Sequence, residues 1–218
     1  MTETIEYYDR NADDYIRSTR DIDFHAVQDR FLLAVAAAFP DRPEKTIRLL
    51  DFGCGSGRDS DYFLRRGFSV SALDGSEVFC RRASELTGIP VRRQLFEEFS
   101  DENAFEGIWC CASLLHVRRD ALPNVLRALE RALTAGGVLY VSFKYGEEER
   151  EKDGRHFTDL TEEGLEELIR DIPGLRAEET WISGDARPER GHERWLNSIL
   201  RRERSAVPDI REEPHRAD

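Results

Sequence analysis

The chain has 218 residues, with 32 basic against 44 acidic side chains and a net charge of −12 at neutral pH. That length suits one domain able to bury a full core, and that field repels phosphate backbones, which sets nucleic acid at a disadvantage as a partner. No apolar run approaches the ~18 residues of a membrane span, and the acidic start MTETIEYYDRNADDY is unlike a signal or transit peptide, so a cytoplasmic protein is expected.

In chain order, residues 3–19 read as a helix with Tyr8 and Tyr15 in a stripe, and a longer helix runs from about Asp23 to Phe39. PDRPEK breaks it. Strands and helices then alternate: TIRLLDF is a buried strand, DSDYFLRRG a helix, SVSALD a strand, and SEVFCRRASELTG a helix capped by Ser76. VRRQLF and FEGIWCCAS follow as strands, then DALPNVLRALERAL as a helix and GGVLYVSFKYG as a fifth strand. Such alternation implies a mostly parallel α/β sheet covered on both faces. EEEREKDGRHFTD is expected to be a polar loop, and TEEGLEELIRDI a helix capped by Thr161. LRAEETWIS and ERWLNSILRR, joined by GDARPERGH, are expected to close the sheet as an antiparallel pair, with a disordered tail over 204–218. Cys54, Cys80, Cys110 and Cys111 lack metal-ligand spacing and are expected as reduced thiols; a redox role for the adjacent pair is the alternative. Paired arginines such as Arg81–Arg82 and Arg201–Arg202 fall mostly at helix ends or beside acids, as a solvated face would.

The stretch RLLDFGCGSGRDS places Gly53, Gly55 and Gly57 between a strand and a helix, where glycine lets backbone N–H groups approach a ligand. The dinucleotide fingerprint G-x-G-x-x-G fails by one position, because residue 58 is Arg58. Asp74 ends the next strand, where a carboxylate can accept both hydroxyls of a ribose; an ordinary turn in LDGS is the bland alternative.

LLDFGCGSG, the acid of ALDGS, FEGIWCCASLLHV and LTAGGVLYVSFK together resemble class I S-adenosylmethionine-dependent methyltransferases, over roughly residues 46–183. The wording CGSGRDSDYFLRRGFSVSALDGS is similar to the small tellurite-resistance-type and other small-molecule members. The resemblance implies a seven-stranded Rossmann-like sheet over residues 43–203 with its last strand antiparallel, and a helical cap or lid over 1–42. It implies S-adenosylmethionine as cofactor, leaving S-adenosylhomocysteine, with Asp51 supporting the loop and the methionine amino group. Gly53, Gly55 and Gly57 would face that cofactor, Asp74 with Gly75 and Ser76 would hold its ribose, and Ser113 would flank it. The adenine contact falls to Glu97, Glu98 or backbone, with Phe96 stacking.

For methyl transfer, the carboxyl ends of the strands bring His116 forward as base or orienter of the acceptor; capping or packing is its bland alternative. On the acceptor side stand Tyr8 and Tyr15 as lid, Lys144, Tyr145 and His192, and Arg155 and Arg187 as anion binders; for the arginines, salt bridges to neighbouring acids are the alternative. Trp109 is assigned to the core, and no metal site is read. The expected function is methylation of a small, anionic molecule. Its alternatives are methylation of RNA or a protein side chain, or a non-catalytic cofactor-binding module.

Overall fold

The computed structural model describes residues 2–20, 22–187 and 190–204; the expected tail lies outside these, save Arg204. Two helices lead the chain, α1 (Thr2–Thr19) and α2 (His25–Ala38). β1 (Arg48–Phe52), α3 (Arg58–Arg65), β2 (Ser69–Asp74), α4 (Glu77–Thr87) and β3 (Val91–Arg93) then form one half of a doubly wound sheet. β4 (Phe105–Cys110), α5 (Leu122–Ala132) and β5 (Leu133–Lys144) form the other half. After a hairpin of β6 (Glu149–Lys152) and β7 (Arg155–Thr158) come α6 (Glu162–Arg170), β8 (Leu175–Gly184) and β9 (Arg194–Arg202).

The sheet order is β3-β2-β1-β4-β5-β9-β8, with β9 antiparallel to both of its neighbours and the other pairings parallel. The parallel half is what the alternation of strands and helices implied, and the seven strands in Rossmann-like order are what the resemblance implied. Strand order reverses between β1 and β4, and open α/β sheets form their ligand crevice outside the carboxyl ends of strands at such a point.

Alternating side chains of the central strands feed two separate cores. Leu50, Ile108 and Leu139 face the layer of α5, while Leu49, Trp109 and Tyr140 face that of α2. α2 brings Phe31 and Val35 so close to the sheet that a Cβ at Gly107 would meet the Phe31 ring at 2.9 Å. The Trp109 and Tyr140 rings stack at 4.0 Å, so Trp109 is core. Its indole N–H donates to Asp59 at 2.9 Å, and Gln28 of α2 donates to the same carboxylate at 2.7 Å, tying α2, α3 and β4 together.

Three expectations need correction. Residues 147–159 are not a loop: β6 and β7 pair in register from Glu149↔Thr158 to Lys152↔Arg155, turning on Asp153 and Gly154, both at positive φ. β3 stops at Arg93 because its partner β2 ends at Asp74, and the chain tightens into a 3₁₀ turn at Phe96–Glu98. Of the two N-terminal helices, only α1 lies over the carboxyl ends of the strands, through contacts given below; α2 is spent on the sheet face.

Candidate functional site

A cavity of about 540 Å³ opens at the switch point, within the range of small-molecule sites. Its floor is the turn after β1. Gly53, Gly55 and Gly57 all have positive φ, 83°, 53° and 82°, a backbone that side chains with a Cβ resist. They differ in what surrounds them. A Cβ at Gly53 would strike Ser113 at 2.5 Å and Phe96 at 2.9 Å, and one at Gly57 would strike Ala83 of α4 at 2.9 Å. At Gly55 the nearest atom is Tyr15 Cε1 at 3.8 Å, so this is the glycine with room beside it. Gly53 and Gly55 line the cavity; Gly57 serves helix packing instead.

Asp74 closes one side of the floor. Its two oxygens accept N–H bonds from Gly55 at 2.9 Å and Ser76 at 2.8 Å. Burial pushes its carboxyl up to about 6, against these amides, which favour the anion. Ser76 caps α4 by accepting from Phe79 N at 3.1 Å, and its hydroxyl donates to Asp9 of α1. Asp51 lies beneath the floor rather than in the wall, accepting from Ser60 Oγ at 2.6 Å; burial pushes its carboxyl up, and neighbouring Asp59 adds to this. Arg58 holds Asp59 down through a two-pronged contact at 2.8 and 3.1 Å, despite the burial of that carboxylate.

α1 forms the roof. Its amphipathic spacing points Ile5, Tyr8 and Tyr15 inward, and Gly75 has no Cβ where one would meet Ile5 at 2.9 Å. Tyr8 packs edge-on to Tyr15 at 5.4 Å, and both contact Phe79. The Tyr8 hydroxyl lies 2.8 Å from His116 Nε2, and His116 Nδ1 lies 2.7 Å from the carbonyl oxygen of His156. A carbonyl only accepts, so Nδ1 carries the proton and Nε2 accepts from Tyr8. Burial pushes His116 down to about 4 and raises the Tyr8 phenol well above its ordinary value. β7 thus sets the tautomer of His116, and its strand is held to α1 by the His156 N–H donating to Thr4 Oγ1 at 3.1 Å.

The far wall carries charge. Lys144 reaches Glu193 at 2.5 Å, and Arg187 grips Asp185 at 2.8 and 2.6 Å, with the Trp195 indole donating to Asp185 at 3.0 Å. Despite partial burial, that Arg187 fork holds the Asp185 carboxyl at about 2. His192 and Arg155 also line this wall. Arg155 lies over the Tyr7 ring at 4.1 Å and nears one acid, Asp153, at 3.4 Å.

The cavity therefore gathers Gly53, Gly55, Asp74, Gly75, Phe96, Ser113, His116, Tyr8, Tyr15, Lys144, Arg155, Arg187 and His192. It does not gather Asp51, Gly57, Ser76, Glu97 or Tyr145. Glu97 is exposed, Gln94 and Leu95 take its place in the wall, and the Tyr145 ring stacks under Arg194 instead. Sequence reasoning missed Asp9 and Phe79, and it named Arg155 without the strand β7 that carries it or the His156 carbonyl beside it. The hairpin did have a signal: KDGR holds an Asp-Gly pair, the two-residue turn that joins antiparallel strands.

Residues 49–137 match the family described as "Methyltransferase domain". A curated relative, the ubiquinone biosynthesis O-methyltransferase of Pseudomonas aeruginosa (strain PAO1), is 32% identical over 102 residues, 44% of this chain. The matched stretch spans 43% of the length of that relative. Among solved structures, the 1,6-didemethyltoxoflavin N1-methyltransferase of Burkholderia thailandensis, with its substrate and S-adenosylhomocysteine bound, is 26% identical. It has a TM-score of 0.63 and covers 92% of this chain and 90% of its own. The magnesium protoporphyrin IX methyltransferase of Synechocystis PCC 6803 shares the fold at a TM-score of 0.67 and 17% identity, covering 92% of this chain and 96% of its own.

Proposed function

We propose that this chain is a class I S-adenosylmethionine-dependent methyltransferase and that it transfers a methyl group from S-adenosylmethionine to a small, anionic molecule. The observation that carries this reading is the sharing of one cavity by the glycine turn, Asp74 and the Tyr8–His116 pair. Its residues fit that cofactor: the Asp74 carboxylate borders open space at Gly55, and the buried Ser113 hydroxyl has no partner among the described residues. Asp74 would accept the ribose hydroxyls, the backbone of Gly53 and Gly55 would border the methionine part, and Leu95 and Phe96 would flank the base. When bound, S-adenosylmethionine supplies a methyl group activated by its positively charged sulfur.

The chain's own residues then position the acceptor. Tyr8, having given its hydrogen to His116 Nε2, keeps oxygen lone pairs with which to accept from an acceptor's O–H or N–H. His116 is a poor base. With its pKa near 4, taking a proton from a phenol of pKa ~10 leaves a gap of roughly six units, about 8 kcal/mol. The pair therefore orients the acceptor and excludes water, while the nucleophile arrives already anionic or intrinsically reactive. Positioning alone supplies ~7–11 kcal/mol in such in-line displacements. The likeness to an O-methyltransferase and an N-methyltransferase supports a small-molecule acceptor, and Arg155 in the cavity wall supports an anionic one.

Calorimetric titration of the wild type and Asp74→Ala with S-adenosylmethionine, S-adenosylhomocysteine and NAD tests the reading. Binding of the first two but not of NAD, weakened at least tenfold by the substitution, is the expected outcome. A wild type that binds neither sulfur compound overturns it.

A further inference from the structure

We propose that Arg155 is the receptor for an anionic group on the acceptor, which makes the substrate of this site a small acid; the proposal rests on the methyltransferase reading above. The cavity holds several cations, and most are already matched. Arg58 forks onto Asp59, Lys144 meets Glu193 at 2.5 Å, and Arg187 grips Asp185 with two contacts. A charge neutralised within its own wall has little left to offer a ligand.

Arg155 differs on each count. Its side chain is 14% exposed, yet its nearest acid is Asp153 at 3.4 Å, 60% exposed and long for a hydrogen bond. Its Nε is buried and has no partner among the described residues. A guanidinium offers five N–H donors in a fixed fork, and leaving buried donors unmet is costly. The rings of Tyr7, at 4.1 Å, and Phe157, at 5.2 Å, hold its plane and strip its water, which strengthens any pairing with an oxyanion. The Tyr8 ring lies 5.9 Å from the same guanidinium carbon, so the anionic end of a ligand would sit beside the end that meets Tyr8 and His116. Both ends fit one small molecule. The protein's net charge of −12 repels anions at a distance, which makes a dedicated cation here the more necessary.

Carboxylate and phosphate share this chemistry, and the test separates them. Benzoate, phenyl phosphate and neutral benzamide are titrated into wild type, Arg155→Gln, Arg155→Lys and Asp153→Asn, with and without saturating S-adenosylhomocysteine. Asn suits position 153, whose φ of 54° is one that Asn tolerates well. The expected result is that one anion binds the wild type at least tenfold more tightly than benzamide, the tighter of the two naming the group. Arg155→Gln should lose that tenfold, Arg155→Lys should keep part of it, and Asp153→Asn, freed of the competing acid, should bind two- to fivefold more tightly. Equal affinity for benzoate, phenyl phosphate and benzamide, or anion affinity unchanged in Arg155→Gln, overturns the proposal. If S-adenosylhomocysteine still binds in that case, only the Arg155 assignment fails; if it does not bind the wild type, the methyltransferase reading fails first.

Discussion

A carboxyl that titrates near 6 makes the affinity of this cavity a function of pH. Asp74 accepts the Gly55 and Ser76 amides as an anion, and the same anion would accept the hydroxyls of a ribose. Burial, which raises its pKa to about 6 from the ordinary 3.8, means that protons compete with the ligand in mildly acidic solution. The sign follows: above about pH 6 the carboxylate is present and affinity for S-adenosylhomocysteine is flat. Below it, affinity should fall about tenfold per pH unit as the anionic fraction falls. His116 does not confuse the measurement, because it is held neutral down to about 4. Calorimetry from pH 5 to 7 should therefore show a bend near 6 in the wild type that Asp74→Asn removes, while Asp51, pushed up further by burial beneath the floor, titrates at higher pH. A bend that survives in Asp74→Asn would assign the titration to another group.

The β6–β7 hairpin is the element on which the acceptor side depends. It carries Arg155, sets the His116 tautomer through the His156 carbonyl, and docks on α1 through Thr4. Its turn places Asp153 at φ 54° and Gly154 at φ 75°, and nothing lies within 4 Å of where a Cβ on Gly154 would be. Gly154→Ala thus tests backbone strain without steric overlap. A destabilisation of about 1 kcal/mol is expected, read as a melting temperature lower by ~2–4 °C, together with weaker binding of acidic probes. Gly154→Asn, which tolerates positive φ, should lose less. This hairpin also marks where sequence reading stops. The alternation from β1 to β5 was legible because apolar runs such as RLLDF and FEGIWC report burial directly. So were the caps at Ser76 and Thr161, since a cap is a local hydrogen bond. β6 is EREK, polar on both faces, and carries no such pattern; only its Asp-Gly turn spoke for it. In the same way, Gly53, Gly55 and Asp74 were legible from motif spacing. The pairing of Arg187 with Asp185, two residues away, stood in the sequence only as the salt-bridge alternative, because residue spacing alone does not decide whether an arginine turns to a neighbouring acid or to a ligand.

At the scale of the molecule, the roof and the walls differ in how they are held. α5 buries Leu122, Val125, Leu126 and Leu129 against the sheet, whereas α1 buries fully only Thr4, Ala12 and Thr19 and breaks helical geometry at Asn11. α1 is held instead by scattered polar ties: Thr4 to His156, Tyr8 to His116, Asp9 to Ser76, and Asp13 to Arg82 at 2.7 Å. Exposed pairs of the last kind contribute little, and net hydrogen bonds contribute about 1 kcal/mol each. Local opening of α1 should therefore take far less free energy than opening of the core, and every 1.4 kcal/mol of difference is tenfold in exchange rate. Tyr8 and Tyr15 cover the cavity, so opening of α1 would uncover a ligand bound beneath them. Amide hydrogen exchange should find α1 at least tenfold less protected than α5 in the ligand-free protein. S-adenosylhomocysteine should slow α1 and leave α5 unchanged, because binding beneath the roof penalises only the open form. Equal protection of the two helices without ligand would mean that the roof is as rigid as the walls, and that entry to the cavity runs past the β6–β7 hairpin instead.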